Sequence, residues 1–141
     1  MEKDKIIFIG GDHTSYEVRE KLQKFLVELN FLVFNEGSNN NEPVSYATYG
    51  LKVAKKVQQS ENSKGIVICG SGIGVNIAAN KVKGIKSALV FSKKSALYAN
   101  KHNYNVIALG ARFLNFNQII ECVKIFLNID KKIMPKFENF N

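Results

Sequence analysis

The chain alternates short apolar runs with stretches whose apolar residues recur at helical spacing. The first run, Ile6, Ile7, Phe8 and Ile9, is closed by Gly10 and Gly11. An unbroken apolar run of this length suits a strand buried on both faces. Val18, Leu22, Phe25, Leu26 and Leu29 then fall on one helical stripe. Thr14, with Glu17 three residues later, predicts a capping box that starts this helix. Residues 31–34 form the second apolar run, and a polar loop from Gly37 to Pro43 follows it. Gly50, Val53, Ala54 and Val57 predict the inner face of a second helix. Residues 65–69 form the third strand, residues 87–91 the fourth and residues 106–109 the fifth. Helical spacing returns at Val75, Ala78, Ala79 and Val82, again over residues 93–101, and at Ile119, Ile120, Val123, Phe126 and Leu127, where Asn115 is the candidate cap.

Strands that alternate with helices predict an α/β fold: a three-layer α/β/α, Rossmann-like arrangement with a five-stranded parallel sheet. No internal repeat or linker divides the chain. A single domain over residues 1–141 is expected, with its core at about 5–128 and a polar C-terminal arm at 129–141.

Composition narrows the class without changing this picture. Hydrophobic residues make up 45% of the 141 positions and charged residues 23%, as in ordinary globular proteins. No apolar run approaches the roughly 20 residues that span a bilayer. The N-terminus lacks the h-region of a signal peptide, so a cytoplasmic location and reduced thiols at Cys69 and Cys122 are expected. The formal charge of +8 comes almost wholly from lysines scattered singly or in pairs; Arg19 and Arg112 are the only arginines. Such scatter gives no basic stripe with interleaved aromatics, so neither nucleic acid nor a membrane is an expected partner. The balance favours anionic ligands, phosphate esters among them.

In open α/β sheets, ligands bind beyond the carboxyl ends of the strands. Strand one delivers Gly11, Asp12 and His13 there. Strand three delivers Cys69, Gly70, Ser71, Gly72, Ile73 and Gly74, and strand five delivers Gly110, Ala111 and Arg112. The helix after strand four ends in His102 and Asn103, which the sequence reading assigns to the same edge. The three glycines let several backbone N–H groups converge at a helix start, a nest suited to an anion. The loop lacks the Lys-Ser or Lys-Thr of a Walker A motif, and its Gly-x-Gly-x-Gly spacing is not the dinucleotide fingerprint. A purely structural turn has the same composition. The amides would also favour a thiolate at Cys69, although the commonest fate of a free Cys is that of a small buried hydrophobe. Cys122 falls on the inward stripe of the last helix and is expected in the core. The two His and two Cys show no metal-ligand spacing.

Several stretches, in order, resemble the ribose/galactose isomerase family, which includes type B ribose-5-phosphate isomerases and galactose-6-phosphate isomerase subunits. They are residues 11–13, 65–74, 77–81, 102–103 and 105–112, and the resemblance covers about residues 5–128. It implies an aldose-ketose isomerase that acts on sugar phosphates without metal or cofactor. It also implies strand order 2-1-3-5-4 and a homodimer, or a tetramer, whose sites use two subunits. By the same resemblance Cys69 is the base at carbon 2 and His102 assists ring opening. Residues 70–74 hold the enediolate oxygens, with Ser71 where a Thr is common. Asp12 meets sugar hydroxyls, Asn103 and Tyr46 line the pocket, and His13 and Arg112 meet the phosphate. The substrate so implied is ribose 5-phosphate or ribulose 5-phosphate. The alternatives are a six-carbon sugar phosphate, galactose 6-phosphate or allose 6-phosphate, and a non-catalytic phosphosugar-binding protein. Three features depart from the family pattern. One residue is missing between His102 and Val106, Asn76 stands where a small residue is usual, and the arm carries Lys131, Lys132 and Lys136 in place of two arginines.

Overall fold

The structure is a computed structural model that describes residues 5–37 and 46–129. Its elements run β1 (Ile6–Gly11), a 3-10 turn (His13–Ser15), α1 (Tyr16–Glu28), β2 (Leu32–Asn35), α2 (Tyr46–Gln58), β3 (Ser63–Cys69), α3 (Ile73–Ala79), β4 (Ser87–Leu89), α4 (Lys93–Lys101), β5 (Val106–Gly110) and α5 (Phe116–Phe126). The five strands form one sheet in the order β2-β1-β3-β5-β4. Every neighbouring pair is parallel. The five-stranded parallel sheet is the one that the apolar runs predict, and the strand order is the one that the family resemblance implies.

The unbroken apolar runs have a simple cause. Successive side chains of a strand point to opposite faces, and here both faces are covered. Ile7, Ile9, Ile66, Ile68, Ile107 and Leu109 pack into one cluster with residues of α1, α4 and α5. Phe8, Val67, Cys69, Val106 and Ala108 pack into the other with α2 and α3. Cys69 thus belongs to the α2/α3 face, at the last position of the central strand. Cys122 is buried in the cluster on the other face, as its helical stripe predicts.

Three local expectations are corrected. Thr14 caps nothing. Instead, Oδ1 of Asp12 accepts from the N–H of Thr14 at 3.0 Å and from its hydroxyl at 2.5 Å, so Asp12 caps a 3-10 turn and α1 begins only at Tyr16. β2 starts one residue later than expected and runs on to Asn35. β4 stops at Leu89, because the N–H of Phe91 donates to Oγ of Ser95 and the chain turns into the α4 cap there. That cap is a reciprocal box between Ser92 and Ser95, and Asn115 makes the same arrangement with Gln118 at the start of α5.

Candidate active site

The ends of β1, β3 and β5 meet at a cleft of about 410 Å³. Asp12, Thr14, Cys69, Gly70, Ser71, Ile73, Gly74, Ile77 and Arg112 line it. Cys69 ends β3 and is only 4% exposed. The N–H of Gly72 donates to its Sγ at 3.2 Å. An amide aimed at sulfur stabilises negative charge there. Gly72 has φ of +82°, where a side chain is strained, and this backbone turn is what points its N–H at the thiol. The Ser71 hydroxyl oxygen accepts from the N–H of Ile73 at 3.1 Å and borders the same cleft.

Arg112 arrives from the adjacent strand. Its N–H donates to the carbonyl of Gly70 at 2.9 Å, and that of Ala111 to the carbonyl of Cys69 at 2.8 Å. The side chain then lies over Gly70, whose missing Cβ would stand 3.0 Å from the guanidinium Nε. A glycine at position 70 therefore lets a cation sit directly on the loop that carries the amides.

Asp12 is fixed from below by residues that the sequence reading left out of the site. The Ser15 hydroxyl donates to the Asp12 carbonyl at 2.9 Å. Nε of Arg19 donates to Oγ of Ser15 at 2.9 Å, and Nη1 to Oδ1 of Asn35 at 2.8 Å. Arg19 is fully buried. Burial lowers its pKa from the ordinary arginine value, against the raising effect of Glu20, Tyr49, Asp12 and Tyr16. Ser15, Arg19, Leu22 and Leu26 form the buried stripe of this segment. An arginine on a helix's inward stripe was the signal to be read. Thr14 and Ile77, which also line the cleft, carried no comparable signal. His13 lies in the 3-10 turn beside Asp12 without lining the cleft, and its Nδ1 is buried with no hydrogen-bond partner among the described residues.

His102 and Asn103 are not at this edge, which corrects the sequence reading. A crossover helix must return the chain from the carboxyl end of one parallel strand to the amino end of the next. The last residues of α4 are therefore carried to the amino edge of the sheet. There the Lys86 ammonium, just ahead of β4, donates to the His102 carbonyl at 3.0 Å. Asn105 ties the start of β5 to Lys86 and Gly65. Gly65 and Cys69 are four residues apart on β3, which is about 13 Å of strand. One copy of this chain thus does not bring its own His102 to its own Cys69. Tyr46 opens α2, but its side chain lies outside the described residues, as does the arm beyond Ile129. Among the described residues, no group of three or more His, Cys, Asp and Glu could hold a metal ion, and no helix is long and apolar enough to cross a membrane.

Residues 7–138 match the Ribose/Galactose Isomerase family. The chain belongs to that family. Membership makes it an isomerase, and the relatives span both pentose and hexose chemistry. The galactose-6-phosphate isomerase subunit LacB of Clostridium acetobutylicum is 35% identical over 135 residues, 95% of this chain and 77% of that one. The ribose-5-phosphate isomerase B of Clostridium thermocellum superposes with a TM-score of 0.84 at 39% identity, covering 86% of this chain and 83% of that one. The ribose-5-phosphate isomerase B of Mycoplasma genitalium, solved with bound ribulose-5-phosphate, gives 0.82 at 38% identity, covering 86% and 82%.

Proposed function

We propose that this ribose/galactose isomerase interconverts ribose 5-phosphate and ribulose 5-phosphate through an enediolate, with Cys69 as the base. The observation that carries the reading is the thiol of Cys69 on the cleft wall, bonded by the Gly72 amide and flanked by Arg112. Starting from the aldose, the thiolate takes the proton from carbon 2. The electron pair becomes the C1–C2 double bond, and the charge moves to O1. The thiol then returns a proton to carbon 1 while the hydroxyl on carbon 2 passes its own to the charged O1, leaving a ketone at carbon 2 and a hydroxyl at carbon 1. The charge on oxygen is the costly feature of this path. A fixed amide nest at residues 70–74 stabilises it, and losing one such donor typically costs ~10²–10³ in rate. Asp12, with its main chain pinned by Ser15 and Arg19, meets the sugar hydroxyls.

Ring opening needs a second acid/base group, and His102 supplies it from a second copy. Exposed apolar side chains surround the cleft and the outer edge of the sheet: Ile73, Ile77, Phe91 and Phe113, with Phe91 67% and Phe113 73% exposed. They give a partner an apolar seat beside Cys69. In the homodimer so formed, each site combines the Cys69 edge of one chain with the His102–Asn103 edge of the other.

Arg112 and His13 hold the phosphate. A charge-assisted hydrogen bond of this kind contributes ~1.5–3 kcal/mol, so Arg112→Ala raises KM roughly 10- to 100-fold. The turnover number of the saturated enzyme changes far less. Initial-rate kinetics with ribose 5-phosphate check this, and an unchanged KM removes Arg112 from the phosphate site.

The match to a galactose-6-phosphate isomerase subunit over almost the whole chain favours a second reading, a six-carbon sugar phosphate as substrate. A coupled assay of the purified protein on ribose 5-phosphate, allose 6-phosphate and galactose 6-phosphate separates the two. The pentose reading expects the highest kcat/KM on ribose 5-phosphate. A higher value on either hexose phosphate replaces it, and turnover of none of the three refutes both.

A further inference from the structure

The end of α4 carries a compact cluster around His102 that the reaction scheme leaves unexplained. His102 is the C-cap, and Asn103 follows with φ of +60°. The N–H of Asn103 donates to the Asn100 carbonyl at 3.3 Å and that of Tyr104 to the Ala99 carbonyl at 2.9 Å. This is the Schellman pattern, and Asn is among the few residues that take the left-handed position cheaply. The cap leads straight into Asn105. Its Oδ1 accepts from the Lys86 N–H at 2.8 Å, and its Nδ2 donates to the Gly84 carbonyl at 3.0 Å. The short connection from His102 to Val106 is thus fully hydrogen-bonded rather than slack.

Side chains close a ring on this backbone. The Tyr98 ring stands 4.0 Å from the imidazole of His102, centroid to centroid, at 31°. Tyr104 lies 6.4 Å from Tyr98. The Lys86 ammonium sits 4.7 Å from the centre of the Tyr104 ring and also donates to the His102 carbonyl at 3.0 Å. An exposed histidine at a helix end ordinarily samples several rotamers. Here one face of the imidazole is covered and its backbone is clamped, so its freedom is spent before substrate arrives.

We propose that Tyr98 and Lys86 are positioning residues that hold the His102 imidazole for the site of a second copy, Tyr98 by packing its tilted ring against the imidazole and Lys86 by pinning the His102 carbonyl and Tyr104. The proposal rests on the isomerase reading given above. It adds to that reading the residues that make an imidazole on an exposed helix end precise enough for ring opening. Misplacing a reacting group by about 1 Å costs on the order of 10²-fold in rate.

The test uses the intact protein and two readouts. Conversion of saturating ribose 5-phosphate needs ring opening. Exchange of the carbon-1 proton of ribulose 5-phosphate with D₂O needs only the enediolate chemistry at Cys69. Tyr98→Leu and Lys86→Met should slow the first roughly 10- to 100-fold and leave the second within about twofold. Tyr98→Phe and Lys86→Arg, which keep the ring and the cation, should restore the first. Equal loss in both readouts would mean damage to fold or assembly and overturn the positioning role, and so would no loss in either. A separate measurement does not depend on activity. With the Tyr98 ring 4.0 Å from the imidazole, centroid to centroid, the ring protons of His102 should be shifted upfield in the proton NMR spectrum, and Tyr98→Leu should abolish that shift. Its absence in the unmodified protein sinks the proposal while leaving the isomerase reading intact. If instead the shift is present and His102→Gln does not itself separate conversion from exchange, the role assigned to His102 fails, and the positioning role fails with it.

Discussion

Cys69→Ala eliminates both isomerisation and carbon-1 exchange while the protein stays folded. A positioned general base contributes typically 10²–10⁴-fold, and no other cysteine stands on the cleft wall. The substitution removes one sulfur from the rim of the sheet rather than from its middle, so its cost to stability should be about 1 kcal/mol. Cys122→Ala is the matched control. That thiol is buried and pushed up to about 11, first by burial and then by Glu121, with Lys93 opposing. It is scarcely ionised at neutral pH and faces the other side of the sheet, so Cys122→Ala should lose some stability and keep its turnover. Iodoacetamide followed by mass spectrometry should therefore find Cys69 first, with substrate protecting it. Turnover by Cys69→Ala within tenfold of the unmodified enzyme would remove the thiol from the reaction.

Much of the fold was legible because double burial writes a simple signature. Five apolar runs, each closed by glycine or polar residues, are the five strands, and the predicted stripe of α2 is its inner face, with Val53, Ala54 and Val57 in the core cluster and Gly50 close against Val75 and Ala78 of α3. Asn115 was readable as a cap because an Asn with Gln three residues on has few other local uses. The Thr14 box failed because a stronger acceptor, Asp12, lies two residues upstream and takes both the amide and the hydroxyl of Thr14. The end of β4 was unreadable for a different reason. Residues 90 and 91 continue the apolar run past Leu89, the last residue of the strand, because Val90 is buried in the core and Phe91 is an exposed apolar side chain, and neither role needs a strand. The loop at residues 70–74 and its neighbours Asp12 and Arg112 could be placed at one edge from strand ends alone. His102 could not be placed by the same shortcut. It follows a helix, and a helix begins at the ligand edge but ends at the opposite one. Counting crossovers would have caught this from the sequence. Arg19 was also legible in principle, since it shares a helical stripe with Leu22 and Leu26.

Two inactive variants should rescue each other. Cys69→Ala loses the base, and His102→Gln loses ring opening on ribose 5-phosphate, so each alone turns over that substrate poorly. In a two-fold dimer every contact is made twice, with the roles of the chains exchanged. A mixed dimer of the two variants therefore has one site with both defects and one site with intact Cys69 and intact His102. Equal amounts, co-expressed or unfolded and refolded together, should pair at random, so half the dimers are mixed and about a quarter of the normal sites are restored. Activity on ribose 5-phosphate should rise to that level, far above either parent, and should track the fraction of mixed dimers isolated with two different affinity tags. The physical basis is the sheet itself. About 13 Å of β3 separates Gly65, at the level of the His102 edge, from Cys69, and an imidazole spans only part of that distance. Purified mixed dimers that show no more activity than the parents would mean that the two residues never share a site. Ring opening would then have to come from a group already at the Cys69 edge, and His13, whose Nδ1 has no hydrogen-bond partner among the described residues, would be the first residue to substitute.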